Sequence, residues 1–351
     1  MLRLYEVRTG KPETIRPAHP GEFRVLASTP PSDGAPGLGE IRAWLLPDLI
    51  RRCADRRGLM VTVCETGWPD DEQAAAALRA DLAALNIHPP ERTWTVSEPA
   101  ERAAEFVEPG SAGRTPGGRP PFDVSTGDAG TGGPGTGGRG DDGPGVEGPG
   151  YDGRGEGRPG DADRPGGDGP GGGNGPRGDR PEAAGNPRAV SGAGTAASRV
   201  AAHLAARTGT VTFGDRDEGD GQDTLTLRDV TGRGLDPLTV RLAFLGRRYR
   251  DPLSLTWDVL ADADAILRRW RQRVADWAQS PSAPMSRQYA EAVVAAFDDD
   301  LDSPAALRAM RELEADGSVP AGAKFETFAA MDRLLGLDLA ADLGKAPAPA
   351  T

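Results

Sequence analysis

The sequence has 351 residues, including 49 glycines and 32 prolines, and its formal net charge at pH 7 is −12. Nucleic-acid backbones repel so acidic a chain, which excludes a general DNA binder, and we expect no DNA partner. Since there is no apolar leader and no apolar run of about eighteen residues, we expect no signal peptide, no membrane partner and a cytoplasmic location.

The N-terminal part of the chain has the pattern of an α/β domain. An apolar strand at residues 24–27 is followed by an amphipathic helix and by a second strand that is apolar enough to be buried on both faces. This order predicts a βαβ unit with parallel strands. The predicted elements are a strand or hairpin within 1–23, strands at 24–27 and 59–64, and helices at 41–57, 70–85 and 97–107.

Residues 109–198 are rich in glycine and proline and show no apolar periodicity. Such a segment cannot bury enough surface to offset its conformational entropy, so we predict a disordered insert that acts as a flexible tether. The absence of glycine at every third position excludes collagen. Only residues 121–124 are apolar enough to dock weakly on the folded part.

Order is expected to return after the insert, first as the remainder of the α/β domain and then as a helical domain. The clearest helix, at residues 258–278, has one apolar stripe that includes Val259 and Trp270, and arginines on its other side. The predicted helices are 199–207, 258–278, 287–297, 303–315 and 325–335, the last capped by Gly336; residues 210–213 and 224–230 are predicted as extended.

The two cysteines and three histidines form no close metal-binding pair such as CxxC or HxxxH. Cys53 falls within a predicted helix and Cys64 at the end of an apolar strand. Both are therefore predicted to be small core residues.

Several stretches of the sequence resemble cysteinyl-tRNA synthetases and the related cysteine ligase of mycothiol synthesis. The C-terminal match is the most specific, because TLRDVTGRGLDPLTVRLAFLGRRYRDPLSLTWDVL precedes FDDDLDSPAALRAM and MDRLLGLDL in the family's order. The N-terminal matches are MLRLYEVRTGK, the loop at 24–42 and LAALNIHPPE.

The resemblance and the composition together imply an α/β fold. We expect a reduced Rossmann-like nucleotide-binding-type domain that is interrupted by the disordered Gly/Pro-rich insert and followed by an α-helical bundle domain. The expected boundaries are 1–108 and 199–235 for the α/β domain, 109–198 for the insert, 236–344 for the helical domain and 345–351 for a flexible tail.

The resemblance also identifies the remains of an ATP loop. Aligned without gaps, the family's zinc-binding cysteine falls on Ser28, and its HIGH box falls on residues 37–40, where both histidines are missing. Those histidines stabilise charge on the ATP phosphates, whereas Glu40 adds negative charge there. The residues kept from this loop, or standing at its positions, are Pro30, Gly37, Leu38, Gly39 and Arg42.

The lysine signature of the family, KMSKS, falls on residues 216–220, which read RDEGD. Three carboxylates beside one cation would repel pyrophosphate. The remaining zinc ligands and the amino-acid pocket of the family lie in the part that the insert replaces. We therefore expect no catalytic residues, no zinc and no cofactor, with ATP as cofactor if any activity survives.

Three arginines on the long helix, Arg268, Arg269 and Arg271, allow two interpretations. In the tRNA ligases this region lies against the tRNA, so the three side chains would contact RNA phosphates. The favoured interpretation is a solvated helix face that is balanced by Asp262, Asp264 and Asp276.

The resemblance and the missing motifs leave three functions open. The favoured one is a non-catalytic member of the family that acts as a binding or regulatory module for an unknown protein partner. The first alternative is a divergent ATP-dependent cysteine ligase with tRNA or an amino sugar as acceptor. The second is a tRNA-binding protein without ligase activity.

Overall fold

The computed structural model describes residues 1–15, 17, 21–28, 36–95, 122–126, 202–214 and 225–345. All of these residues belong to the unit formed by Met1–Gly130 together with Gly192–Thr351. The predicted helix at 97–107 and most of the predicted insert lie outside the described residues.

The chain begins with a hairpin and the predicted βαβ unit. Strands β1 (Arg3–Glu6) and β2 (Lys11–Thr14) pair antiparallel, which confirms the N-terminal hairpin. Strand β3 (Glu22–Ser28) leads through helix α1 (Leu38–Asp55) to strand β4 (Met60–Trp68), and the two strands pair in parallel. Helix α1 continues through Pro47. The parallel pairing predicted for this unit is therefore confirmed.

A five-stranded parallel sheet is built around this unit. Helix α2 (Glu72–Ala84) leads to strand β5 (Arg92–Thr95), and strands β6 (Phe122–Thr126) and β7 (Ala202–Ala206) complete the order β5-β4-β3-β6-β7. The Asp71 side chain accepts a hydrogen bond from the Ala74 N–H and caps α2. The described chain is thus a mixed α/β structure with a parallel sheet.

Two of these strands correct the predictions. Residues 122–126 were assigned to the disordered insert, yet they pair with β3 on one side and with β7 on the other. Residues 199–207 were predicted as a helix, and that prediction is wrong for 202–206, which form β7. In both cases pairing with a neighbouring strand outweighs local composition.

The predicted strand at 210–213 forms, but not beside the expected partners. Strand β8 (Val211–Phe213) pairs in parallel with β9 (Leu253–Leu255) in a separate two-stranded sheet, so its predicted pairing with 24–27 or 59–64 is wrong. Residues 224–230 were predicted as extended, yet helix α3 (Leu227–Gly232) begins there. Thr226 and Asp229 form a capping box at its start, a signal present in the sequence.

Apart from β9, the C-terminal part is helical, as predicted. Its helices are α4 (Leu238–Leu245), α5 (Trp257–Trp277), α6 (Arg287–Asp298), α7 (Ser303–Ala315) and α8 (Ala321–Leu335). Trp270 of α5 is fully buried, whereas Val259, which was predicted on the same stripe, is 37% exposed. Gly336 ends α8 in the left-handed conformation, which confirms its predicted capping role.

The sheet and the helices share one apolar core. Buried side chains run continuously from Val25 of β3 through Leu46 of α1 to Leu335 of α8. Within the described ranges, no helix combines the length and apolarity needed to cross a membrane.

Candidate functional site

Helix α1 begins beyond the carboxyl end of β3, which is where open α/β sheets place ligands. Ser28 is the last residue of β3, and Gly37 is the N-cap of α1. Pro30 and the segment 216–220, which aligns with the lysine signature, lie outside the described residues. The geometry of the loop can therefore be followed from Gly37 onward.

The N–H groups of Gly37 and Leu38, at the start of α1, donate to acceptors of the same chain. The N–H of Gly37 donates to Oε2 of Glu40 at 2.9 Å, and the N–H of Leu38 donates to the carbonyl of Leu225 at 2.8 Å. Gly37 also forms an antiparallel bridge with Thr226. A helix N-terminus favours an anion, and here the chain's own carboxylate takes that place.

Arg42, which also aligns with the family loop, makes its contacts inside the fold. Its side chain is buried, and its guanidinium donates to the carbonyls of Gly209 at 3.1 Å, Asp251 at 2.8 Å and Arg248 at 2.9 Å. Burial lowers the pKa of Arg42 to about 10, so the group is charged at neutral pH. Arg42 thus fixes the β8–β9 region against α1 instead of pointing to a bound phosphate.

Both cysteines are core residues, as predicted. Cys53 and Cys64 are buried, and burial raises the pKa of each thiol to about 12. Both thiols are therefore protonated at neutral pH, the form that is the weaker nucleophile. Among the residues with described positions, no three His, Cys, Asp or Glu side chains are grouped to hold a metal ion.

Each of the three candidate RNA-contacting arginines has a carboxylate partner in the same chain. Arg268 lies 2.7 Å from Asp264, and Arg269 lies 2.9 Å from Glu314. Arg271 lies 2.5 Å from Asp236 and also donates to the carbonyls of Leu337 and Asp338. These contacts support the interpretation of a balanced helix face. Of the predicted carboxylates, Asp264 pairs with one of the three arginines, while Glu314 and Asp236 pair with the other two.

The structure brings together two of the C-terminal motifs that carry the family resemblance. Asp300, from FDDDLDSP, accepts hydrogen bonds at 2.8 Å from the Tyr249 hydroxyl, from Nε of Arg250 and from the N–H of Tyr5. Burial and the nearby Asp300 carboxylate raise the pKa of Tyr249, which stays protonated as a donor. The hydrogen bonds of Asp300 therefore join the N-terminal hairpin to the helical part.

A buried ion cluster at the centre of the fold was not predicted. Asp48 of α1 accepts from Nη2 of Arg241 at 2.7 Å and from Nε of Arg52 at 2.8 Å, and Nδ1 of His88 lies 2.8 Å from its Oδ1. Burial by itself raises the pKa of Asp48, but the three partners outweigh it and hold that pKa far below the usual range. The sequence signal that could have revealed this cluster is Asp48, an aspartate within the apolar run LLPDLI.

Two groups of curated proteins are similar to part of this chain. The L-cysteine:1D-myo-inositol 2-amino-2-deoxy-alpha-D-glucopyranoside ligase of Streptomyces griseus is 40% identical over 110 residues, which are 30% of this chain and 26% of that protein. The cysteine--tRNA ligase of Paracoccus denitrificans is 37% identical over 122 residues, 34% of this chain and 23% of that protein.

The chain therefore spans about a quarter of the length of the curated relatives that it matches. No protein-family model matches it. Identities of 35–40% to both groups of ligases agree with the motifs in the sequence, and over about 30% of its length the chain is similar to the cysteinyl-tRNA synthetase family.

Proposed function

We propose that this chain is a non-catalytic member of its family that acts as a binding or regulatory module on a Rossmann-like frame. The observation that carries the proposal lies at the start of α1. There the Glu40 carboxylate and the carbonyl of Leu225 already accept hydrogen bonds from the N–H groups of Gly37 and Leu38. The parallel sheet order supports the frame, and the internal contacts of Arg42 support the loss of the phosphate site.

The electrostatic balance at this helix start opposes a triphosphate. Two unit charges about 4 Å apart interact by about 4 kcal/mol at the effective dielectric constant of a protein surface. A helix N-terminus offsets this by only about 0.3–1 kcal/mol. A phosphate at the N–H of Gly37 would therefore have to displace the Glu40 carboxylate or be repelled by it.

The relatives' names favour one alternative, an ATP-dependent ligase of cysteine. Calorimetry with ATP and with a non-hydrolysable cysteinyl-adenylate analogue, together with cysteine-dependent exchange between pyrophosphate and ATP, separates the two functions. We expect neither binding heat nor exchange above background. The Paracoccus denitrificans cysteine--tRNA ligase, assayed in parallel, serves as the positive control. Cysteine-dependent exchange by this chain would establish the ligase and overturn the proposal.

A tRNA-binding role receives less support, since the three candidate arginines are paired with carboxylates of the same chain. A gel shift with total tRNA at low salt tests it. We expect the parent chain to give no band shift that depends on these arginines. A shift that the triple variant Arg268→Glu/Arg269→Glu/Arg271→Glu abolishes would support tRNA binding.

A further inference from the structure

A groove of about 1370 Å³ lies between the C-terminal end of α1 and helices α6 and α8. Small-molecule pockets commonly measure about 300–1,000 Å³, so this groove is larger than a metabolite needs. A helix about 10 Å across that rises about 1.5 Å per residue would fill such a volume with about three turns. The size of the groove therefore fits a helical segment of a polypeptide.

The floor of the groove is apolar and includes an exposed methionine. Val294 and Ala290 stand one turn apart on α6, and Met331 and Leu334 line the groove from α8. Ala290 and Met331 are each 7% exposed and Leu334 is 2% exposed. Met285, just before α6, is 50% exposed. Methionine adapts to irregular apolar partners, and an apolar floor between two helices suits the apolar face of a third.

Four arginines and three carboxylates line the groove, an excess of one positive charge, although the whole chain is strongly acidic. Within the segments that the structure describes, Arg56 and Arg333 form no ion pair, and both side chains are exposed. At the base of the groove, Arg52 shares Asp48 with Arg241, so one carboxylate faces two guanidinium groups.

The carboxylates of the rim are largely neutralised by arginines of their own. Asp298 pairs with Arg57, and Glu291 lies 3.6 Å from Arg287. Asp55, which precedes Arg56 in the sequence, remains as an acidic group on the rim. The groove therefore attracts negative charge at its edges while its floor attracts apolar side chains.

We infer that this groove binds an acidic amphipathic helix of a partner protein. Apolar side chains at helical spacing would cover the floor, and aspartates or glutamates beside them would meet Arg56 and Arg333. The inference rests on the proposed function, because it names the surface and the class of partner through which a non-catalytic module would act.

The test is a selection of displayed helical peptides of about twelve residues on the full-length protein. We expect the enriched peptides to be amphipathic with acidic flanks, and to bind with dissociation constants of about micromolar order. Met285→Asp should weaken these peptides about tenfold, since it puts a charge on the apolar floor. The double variant Arg56→Glu/Arg333→Glu should weaken them likewise and should favour matched peptides with lysine flanks.

The matched control is Arg308→Glu/Arg311→Glu, which makes the same charge change at exposed positions of α7 away from the groove and should leave affinity unchanged. Circular dichroism establishes that each variant is folded. The inference is overturned by a selection that enriches nothing, by basic or non-helical binders, or by binding that ignores the groove variants. Self-association that Met285→Asp abolishes would assign the groove to a second copy instead.

Pyrophosphate exchange measured on the same preparation separates the two proposals. If the groove binds acidic helices and the protein also shows cysteine-dependent exchange between pyrophosphate and ATP, the proposed function is wrong and the inference stands. If the protein shows no exchange and its groove binds nothing, only the inference is wrong.

Discussion

Arg241 of α4 donates a hydrogen bond to Asp48 of α1 across 2.7 Å, and both side chains are completely buried. The same guanidinium donates to the carbonyls of Leu335 at 2.6 Å and Asn86 at 3.0 Å. One side chain thus joins α4, α1, the end of α8 and the segment after α2. This contact fixes the helical part against the sheet.

The buried pair leads to a prediction for stability. Asp48→Ala removes the carboxylate and leaves the Arg241 charge uncompensated in the core, so the free energy of unfolding should fall by about 3–5 kcal/mol. Urea unfolding followed by circular dichroism measures the change. In Asp48→Leu/Arg241→Met, where both charges are gone, the loss should be well below the sum of the single losses.

The control for this prediction is an exposed ion pair. Lys345→Ala breaks a pair with Asp342 at 3.1 Å whose side chains are 65% and 41% exposed, and it should change the free energy of unfolding by less than about 1 kcal/mol. Equal losses for Asp48→Ala and Lys345→Ala would show that the buried pair has no special role.

Asp48 also predicts a dependence of stability on pH. Its folded-state pKa lies far below the unfolded value, so the carboxylate stabilises the fold above about pH 5, and this contribution is lost as the pH falls below about 4. The stability difference between the parent chain and Asp48→Asn should be constant from about pH 5 to 7 and shrink below about pH 4.

Urea midpoints across this range, measured in a His88→Ala background that removes the imidazole in contact with Asp48, check the pH prediction. A difference that grows on acidification would contradict it.

The sequence predicted the βαβ unit because its apolar periodicity is local to each element. It missed β6 because five residues within a Gly- and Pro-rich span carry little local signal, and it missed β7 because an alanine-rich segment favours a helix in isolation. The contact between Arg241 and Asp48 joins residues 193 positions apart, and no local pattern reveals such a pair. Glu40 was recognised as a charge at the ATP loop, but its contact with Gly37 required the structure.

The cysteines predict an inert pair of thiols. Because burial raises the pKa of Cys53 and Cys64 to about 12, both are protonated at pH 8 and shielded from reagents. The native protein should not react with Ellman's reagent, and the chain unfolded in guanidinium chloride should react at two thiols per chain. Rapid reaction of either thiol in the native protein would contradict the buried positions.

Glu40 predicts a latent anion site at the start of α1. Glu40→Ala should cost about 1 kcal/mol of stability, because the Gly37 N–H loses its acceptor. The freed donor should then bind an anion, so millimolar pyrophosphate should raise the melting temperature of Glu40→Ala but not that of the parent chain. Glu40→Gln, which keeps an oxygen acceptor, is the matched control and should resemble the parent. An equal response in all three proteins would show that Glu40 does not block an anion.

Gly336 lies against Arg241, and this contact predicts an unusually costly substitution. Gly336 has φ of +67°, and an added Cβ would lie 2.8 Å from Nη2 of Arg241. Gly58 has a similar φ of +70° but open space around it. Gly58→Ala should cost about 1–2 kcal/mol from backbone strain alone. Gly336→Ala should cost more, because it also displaces the guanidinium that neutralises Asp48. Urea unfolding measures both, and the excess for Gly336→Ala should shrink in an Arg241→Met background, where the crowded group is absent. An excess that persists there would assign the cost to the backbone of α8 instead of to the buried pair.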